Sequence, residues 1–239
     1  MKEKGYEVAV SPHDRVLAKD ELIVFLKQDQ YDAVLSLLTD KIDTDVLAAA
    51  GKQCKIFANY AVGFDNIDLK AAAERGVMIT NTPGVLTDSV AEHAFTLLLA
   101  IAHRVAESDR FIRAGKYHGW EPMLLLGSDV SKKTLGILGL GRIGSRVATL
   151  ALGLGMKVIA NNRSPKTMEG VEMVSKEEVL KKADVVSVNV TSGADTENFI
   201  SKRELDLMKS TAILINVDQS KQVDTEAIYQ ALKEKRIAG

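Results

Sequence analysis

The chain has 239 residues, which is enough for one large domain or two of modest size. Apolar residues make up 46% of it and charged residues 26%, so wholesale disorder is excluded. The 31 basic side chains nearly balance the 32 acidic ones, so no net charge attracts nucleic acid or an anionic membrane surface. The single cysteine, Cys54, excludes an internal disulfide and a thiolate cage, and no metal site is predicted. No segment has the length and hydrophobicity of a membrane span or a signal peptide, and we expect a cytoplasmic protein.

Short apolar segments rich in β-branched residues alternate with helical patterns along most of the chain. Strands are predicted, in chain order, at residues 6–10, 33–38, 55–60, 77–80, 134–138, 156–160, 183–190 and 212–217. Strands that are apolar on both faces and separated by helix-length segments indicate parallel sheets with helices on both sides. The predicted fold class is therefore α/β, with doubly wound parallel sheets.

Three helix starts are marked by a serine with a glutamate three residues later, which is the pattern of a capping box: Ser89, Ser175 and Ser201. The helix predicted from Ser89 is apolar almost all round, so we expect it to be buried between layers. Residues 115–130 follow with little periodicity and contain three consecutive leucines. The leucines either fold under their own domain or pack against another subunit, and we favour the second alternative.

The strongest motif is a glycine-rich segment, Gly139-Leu140-Gly141-Arg142-Ile143-Gly144. It follows a predicted strand and opens a helical pattern, which is the context in which such a motif binds a dinucleotide. Gly139 permits the tight turn, Gly141 lets the backbone approach a pyrophosphate, and Gly144 allows close packing of helix on strand. The helix N-terminus adds free N–H groups and a dipole that favours an anion. The alternative is a glycine turn that only connects a strand to a helix.

The side chains after the next predicted strand bear on the choice of cofactor. In NAD-selective proteins an acidic residue about twenty positions beyond the glycines binds the ribose 2′-hydroxyl. Here that position is the neutral Asn162, followed by Arg163, Ser164 and, slightly further on, Lys166. A 2′-phosphate would meet no carboxylate at this position, and Arg163 could bind it through two donors. The sequence therefore favours NADP(H) over NAD(H), the alternative being an ordinary polar turn at a strand end.

Five segments resemble the D-2-hydroxyacid dehydrogenases, and in particular the glyoxylate and hydroxypyruvate reductases: residues 58–68, 81–94, 113–115, 119–127 and 133–144. The segments keep that family's order and spacing, and residues 119–127 (GWEPMLLLG) resemble the glyoxylate reductase subgroup. The resemblance implies a flavodoxin-like substrate domain at residues 1–88 and a Rossmann dinucleotide-binding domain at residues 89–239, with the substrate between them. It also implies a dimerisation arm at about residues 113–130, and therefore a homodimer.

The same resemblance implies roles for individual residues. The backbone N–H groups of Val62 and Gly63 would bind the carboxylate of a 2-oxo acid, although a simple turn leaving a strand would carry the same glycine. Thr87 would meet the nicotinamide end of the cofactor, unless it only caps the next helix. Further contacts with the cofactor are implied at Val190, Thr196 and Val217.

The catalytic side chains of this family are an arginine that orients the substrate, a histidine that exchanges the hydroxyl proton and a glutamate that holds the histidine. Gln219 stands at the position of the arginine, and it lacks both the charge and the guanidinium fork. The resemblance implies an NADP(H)-dependent oxidoreductase that acts on a glyoxylate- or hydroxypyruvate-like 2-oxo acid. The alternative is an inactive fragment or pseudoenzyme that keeps dinucleotide binding or an interaction role.

Both ends of the sequence depart from the family pattern. The sequence ends before the positions of the glutamate and the histidine, and it begins after the position of the first strand. We therefore expect a chain truncated at both ends, whose remaining strands expose apolar faces and unpaired edges. Such a chain should bind NADP(H) weakly and turn over little substrate, and Gln219→Arg alone should not restore activity.

Overall fold

The computed structural model describes residues 2–191, 193–217 and 220–239, so the predicted site residue Gln219 lies outside the described residues. The chain divides into two compact units, Met1–Val85 and Leu86–Gly239, which are called the N-terminal unit and the C-terminal unit below. Both units contain a parallel sheet with helices, so the predicted α/β class is confirmed.

The N-terminal unit contains a three-stranded parallel sheet with β1 (Ala33–Leu37), β2 (Ile56–Tyr60) and β3 (Met78–Thr80) in that spatial order. Its helices are α1 (Lys19–Lys27), α2 (Thr44–Ala49) and α3 (Leu69–Glu74). One hydrophobic core joins these helices to one face of the sheet, around the fully buried Phe57. Cys54 is buried in this core, as its apolar character would suggest.

The opposite face of this sheet carries large apolar side chains in contact with solvent. Leu35 is 62% exposed and Leu37 46%, while Tyr60 and Met78 on the neighbouring strands are 70% and 60% exposed. Their strand positions alternate with those that face the core. The expectation that strands of this unit expose an apolar face is therefore confirmed.

Residues 6–10, predicted as the first strand, are irregular, and that prediction is wrong. Tyr6 is 64% exposed and Val10 is 75% exposed. A strand is stable only beside a partner that pairs with its backbone, and β1 pairs with β2 alone among the described strands. The segment has the composition of a strand, but it pairs with no described strand, although β1 has an unpaired edge.

The C-terminal unit contains a five-stranded parallel sheet with the spatial order β6-β5-β4-β7-β8. The strands are β4 (Thr134–Leu138), β5 (Lys157–Asn161), β6 (Val171–Met173), β7 (Val185–Val188) and β8 (Ile213–Asn216). The helices are α4 (Thr87–Ala102), α5 (Val105–Arg113), α6 (Arg142–Gly153), α7 (Lys176–Lys182), α8 (Lys202–Leu207) and α9 (Thr225–Lys233). One core packs α4 and α6 on the face that includes Ile137, and a second packs α7, α8 and α9 on the face that includes Leu138.

Apart from residues 6–10, the predicted strands occur within two residues of their expected ends, and of the strands in the described residues only the short β6 was not predicted. Helices begin after Ser175 and Ser201 as expected, and in each the glutamate carboxylate accepts from the backbone N–H of that serine. The predicted cap at Ser89 is wrong. Helix α4 already begins at Thr87, after an N-cap residue, Leu86, that makes no side-chain cap bond.

Helix α4 is buried along one side only, which corrects the prediction that it lies buried between layers. Its core positions are Ala91, Ala94, Phe95, Leu98 and Ala102. Ile101, on another side, is 38% exposed. Among the described residues no helix has both the length and the apolar character needed to cross a membrane.

Candidate functional site

The glycine-rich segment lies where the order of the strands reverses. From the central strand β4 the chain continues to β5 and β6 on one side and then to β7 and β8 on the other. In open α/β sheets, ligands bind at the carboxyl ends of the strands beside this point. Gly139 follows β4 with a φ of +95°, and a Cβ atom there would collide with the carbonyl oxygen of Asn189, just after β7. Only glycine fits this close approach of two strand ends.

The other two glycines of the motif differ in the space that surrounds them. A Cβ atom at Gly144 would collide with the carbonyl oxygen of Gly139, so a side chain would push α6 away from the loop. A Cβ atom at Gly141, the N-cap of α6, would meet nothing within 4 Å. The open space therefore lies in front of the helix N-terminus, where unpaired N–H groups and the dipole favour an anion. This arrangement fits the pyrophosphate of a dinucleotide.

The middle residues of the motif divide between the interior and the surface. Leu140 is fully buried, and Ile143 is half-buried against the core beneath α6. Arg142 is exposed at the first position of the helix. Leu140 and Ile143 thus anchor the loop in the core, while the backbone on the other side of the loop remains open.

Polar side chains from the end of β5 hold the loop in place. The Oδ1 atom of Asn162 accepts from the N–H of Leu140 at 2.9 Å, and its Nδ2 atom donates to the carbonyl of Ser164 at 2.8 Å. Lys166 donates to the Leu140 carbonyl and to the hydroxyl of Ser145, the latter at 2.9 Å. Asn162, which stands where NAD-selective proteins carry an acid, therefore binds the chain's own backbone.

Charged groups surround the same strand end. Arg163 forms an ion pair with Asp195 at 3.0 Å, with the two side chains 85% and 67% exposed. An ion pair that open to water is weak, so the guanidinium is readily released to another anion. Ser164 is exposed beside it. The hydroxyl of Thr196 donates to the carbonyls of Thr191 and Gly193 in its own loop.

The remaining predicted cofactor residues lie at strand ends or at a helix start. Val190 and Val217 follow β7 and β8, and each is half-buried and packs against a core. Thr87 is half-buried at the first position of α4. The structure therefore places the glycine loop, Asn162, Val190 and Val217 along one edge of the five-stranded sheet.

Val62 and Gly63 belong to the N-terminal unit, in the loop after β2. The carbonyl of Val62 accepts from Nδ2 of Asn81 at 2.8 Å, and that of Gly63 accepts from Nδ2 of Asn59 at 2.9 Å. Asn59 is only 2% exposed, and the hydroxyl of Ser36 donates to its Oδ1 atom at 3.2 Å. The sequence did not identify these asparagines, although both stand at strand ends within the segments that carry the family resemblance.

Comparison with known proteins identifies the family. Residues 95–239 match the family described as D-isomer specific 2-hydroxyacid dehydrogenase, NAD binding domain. The chain belongs to the D-isomer-specific 2-hydroxyacid dehydrogenases. Within that family, the glyoxylate reductase of Thermococcus litoralis is 45% identical over 100% of this chain and 74% of its own length. The resemblance read from the sequence is therefore confirmed.

Solved structures of other proteins have the same fold. A protein from Thermus thermophilus superposes with a TM-score of 0.93 at 41% identity, with 100% of this chain and 75% of that chain covered. A glyoxylate reductase from Paecilomyes thermophila gives 0.82 at 32% identity, with 92% and 70% covered. The chain thus spans about three quarters of the length of these relatives. It is a dehydrogenase-type chain with a Rossmann-type domain for a nicotinamide cofactor, and its family acts on 2-oxo acids.

Proposed function

We propose that this dehydrogenase uses NADP(H) and reduces a small 2-oxo acid of the glyoxylate or hydroxypyruvate type. The observation that carries the cofactor preference is the bond from the Leu140 N–H to Asn162. Asn162 thus places a neutral side chain with a structural role at the position from which an acid would repel a 2′-phosphate. Arg163 and Lys166 add positive charge at the same strand end. The 45% sequence identity to a glyoxylate reductase, which extends over the whole chain, supports the substrate class.

In this proposal each unit has one task. The C-terminal unit binds the dinucleotide, with the glycine loop on the pyrophosphate and Arg163 and Ser164 on the 2′-phosphate, in place of the carboxylate of Asp195. The N-terminal unit binds the substrate carboxylate through the N–H groups of Val62 and Gly63. The bound cofactor supplies the hydride chemistry. Further cofactor contacts are assigned to Thr87, Val190, Thr196 and Val217.

The test of the cofactor preference is a titration of the chain with NADPH and with NADH, followed by nicotinamide fluorescence. We expect NADPH to bind about tenfold more tightly or better, because a charge-assisted bond contributes roughly 1.5–3 kcal/mol. Arg163→Ala should remove that advantage and leave NADH binding unchanged. Arg75→Ala, an exposed arginine of the N-terminal unit, is the matched control. Tighter binding of NADH, or equal loss for both cofactors in Arg163→Ala, would refute the preference.

A second function, dinucleotide binding without turnover, is favoured by Gln219. A glutamine offers the substrate carboxylate no positive charge, where the family resemblance places an arginine. Steady-state oxidation of NADPH in the presence of glyoxylate separates the two proposals. Turnover at ordinary enzyme rates, about 1–1000 per second, would reject the inactive alternative.

The proposed homodimer rests on the segment 113–130. Trp120, Met123 and Leu126 are 81%, 78% and 54% exposed there. The leucine triplet contributes less than expected, since Leu124 and Leu125 are half-buried. Light scattering should give twice the chain mass for the wild type and the chain mass for a Trp120→Ser, Met123→Ser double variant. The same exchange at Tyr229, a 56% exposed aromatic residue of α9, should leave the dimer intact. The cytoplasmic location stays a prediction.

A further inference from the structure

The direction of each N–H group in the loop after β2 is set by the carbonyl that precedes it. A peptide bond is planar and trans, so the N–H of one residue points away from the carbonyl of the residue before it. The Ala61 carbonyl therefore fixes the N–H of Val62, and the Val62 carbonyl fixes the N–H of Gly63. The Ala61 carbonyl accepts from the N–H of Thr82 at 2.9 Å, and the Val62 carbonyl accepts from Asn81 at 2.8 Å.

Both of these donors come from consecutive residues in the loop that follows β3. Strand β3 pairs with β2, so the two loops start side by side at the carboxyl end of the sheet. The donors at residues 81 and 82 thus hold two successive peptide planes from the same side. The N–H groups of Val62 and Gly63 consequently face the other way, and within the described part of the chain neither donates to a protein acceptor.

The two donors differ in what they require of the sequence. The Thr82 bond comes from the backbone, and any residue other than proline can make it. The Asn81 bond comes from a side-chain amide, so it depends on the residue. Gly63 has no Cβ atom to hinder rotation of the peptide that joins it to Val62, and the Asn81 bond restrains that rotation. The next carbonyl, of Gly63, is held by the buried Asn59.

We propose that Asn81 is a positioning residue for the substrate carboxylate and acts through the Val62 carbonyl on the N–H of Gly63. The proposal rests on the carboxylate-binding role given above to Val62 and Gly63. Asn81 does not itself touch the substrate in this arrangement. Its amide keeps one of two convergent donors aimed at the anion, which preorganises the loop before binding.

The test is a glyoxylate titration of the full ¹⁵N-labelled chain in the presence of NADP⁺, observed at the amide signals of Val62 and Gly63. In the wild type both signals should shift with one dissociation constant. In Asn81→Ala the shift of Gly63 should be largely lost and the dissociation constant should rise about tenfold, because one of two donors to a charged group is no longer aimed. The shift of Val62 should persist, since its peptide is still held by Thr82.

Two further variants separate positioning from general stability. Asn81→Asp has nearly the same shape but donates only when its new carboxyl is protonated. Its affinity for glyoxylate should therefore recover as the pH falls through the pKa of that carboxyl, whereas the affinity of Asn81→Ala should show no such recovery. Gln53→Ala is the matched control, because it removes another amide of this unit, one that donates to Asp32 at 2.9 Å.

The outcomes distinguish this proposal from the one on which it rests. If the wild-type amides of Val62 and Gly63 do not respond to glyoxylate, the carboxylate-binding loop is refuted, and the role of Asn81 with it. If the wild type responds and Asn81→Ala matches it at both amides, only the positioning role is refuted. If Asn81→Ala does not fold, a pH-independent affinity in Asn81→Asp refutes the positioning role in the same way.

Discussion

The sheet of the C-terminal unit is covered by helices on both faces, whereas the sheet of the N-terminal unit is covered on one. The strands themselves are alike, since β1 (AVLSL) and β4 (TLGIL) are both short, parallel and apolar. Leu138 in β4 is nevertheless fully buried, and Leu35 in β1 is 62% exposed. Strand composition therefore indicates a parallel sheet, but the helices around it decide how much each leucine contributes to stability.

The sharpest test of this comparison exchanges one leucine in each sheet for alanine. Leu138→Ala should lower the free energy of unfolding by about 2–5 kcal/mol, because it removes buried methyl groups and leaves a cavity. Leu35→Ala should change it by no more than about 0.5 kcal/mol, as at other exposed positions. Urea unfolding of both variants measures the difference. Equal losses would show that the exposed face of the N-terminal sheet is covered in solution.

This contrast also marks how far the sequence predicts the fold. Residues 134–138 were predicted with their observed bounds, because an apolar segment that runs into a glycine motif specifies a strand end locally. Residues 6–10 have a similar composition yet form no strand, because pairing depends on a neighbouring strand that composition does not encode. Local patterns therefore predict elements, and the contacts between elements decide which of them form.

A second test uses two glycines of the glycine-rich segment that follows β4 in the covered sheet. Gly144→Ala should destabilise the C-terminal unit by about 1–3 kcal/mol, because the new methyl group collides with the Gly139 carbonyl. Gly141→Ala has free space for its methyl group and should unfold like the wild type. Both variants should bind NADPH at least about tenfold more weakly, the second because the methyl group fills the space in front of α6. A normal melting temperature for Gly144→Ala would contradict the close packing of helix and loop.

A third test asks whether the two units unfold separately. Ser175 caps α7 in the C-terminal unit, and Asp43 caps α2 in the N-terminal unit through the N–H groups of Asp45 and Val46. Alanine at either position should cost its own unit about 1 kcal/mol. Hydrogen exchange followed by mass spectrometry should show faster exchange only in the unit that carries the change. The Asp43→Asn variant, which keeps a capping oxygen, should lose less. If one substitution made exchange faster in both units, the two units would have to unfold as a single cooperative structure.

The smallest expected effect is the response to acid, and it has a source in each unit. Burial of Asp184 favours its neutral form, but the Thr134 N–H and the Lys209 ammonium outweigh burial and hold the pKa of Asp184 below its ordinary value. In the N-terminal unit, hydrogen bonds from Arg15 hold the pKa of Glu21 at about 2. Each carboxylate contributes stability above its ordinary pKa, and that contribution is lost as the pH falls through its lowered pKa.

Asp184→Asn and Glu21→Gln should therefore weaken their units at neutral pH and make the loss of stability in acid shallower. Melting curves between neutral pH and about pH 2 measure this change. Salt should reduce the effect of Glu21→Gln more than that of Asp184→Asn, because Glu21 is the more exposed carboxylate. A steeper acid transition in either variant would contradict the predicted effect of these carboxylates on stability.

The candidate site was predictable to a similar extent as the fold. Each glycine of the motif meets a known structural requirement at a fixed spacing, so Gly139, Gly141 and Gly144 could be assigned from the sequence. The bonds from Asn59 and Asn81 to the loop after β2 could not, because a side chain's reach to a backbone carbonyl depends on how two loops meet. Their position at strand ends was visible, but a partner for the amide was not.

The bond between Asn162 and the backbone of Leu140 matters for any redesign of cofactor choice. If the proposed NADP(H) preference holds, a protein engineer who wants an NADH-dependent variant would first place an acid at position 162, to hold the ribose hydroxyls. Here that exchange also removes the amide that donates to Ser164, in the segment that braces the glycine turn. Under the proposed mode of cofactor binding, position 162 would affect both the adenosine end and the phosphate end of the cofactor. A designer would have to replace this hydrogen bond before the cofactor selectivity could be changed.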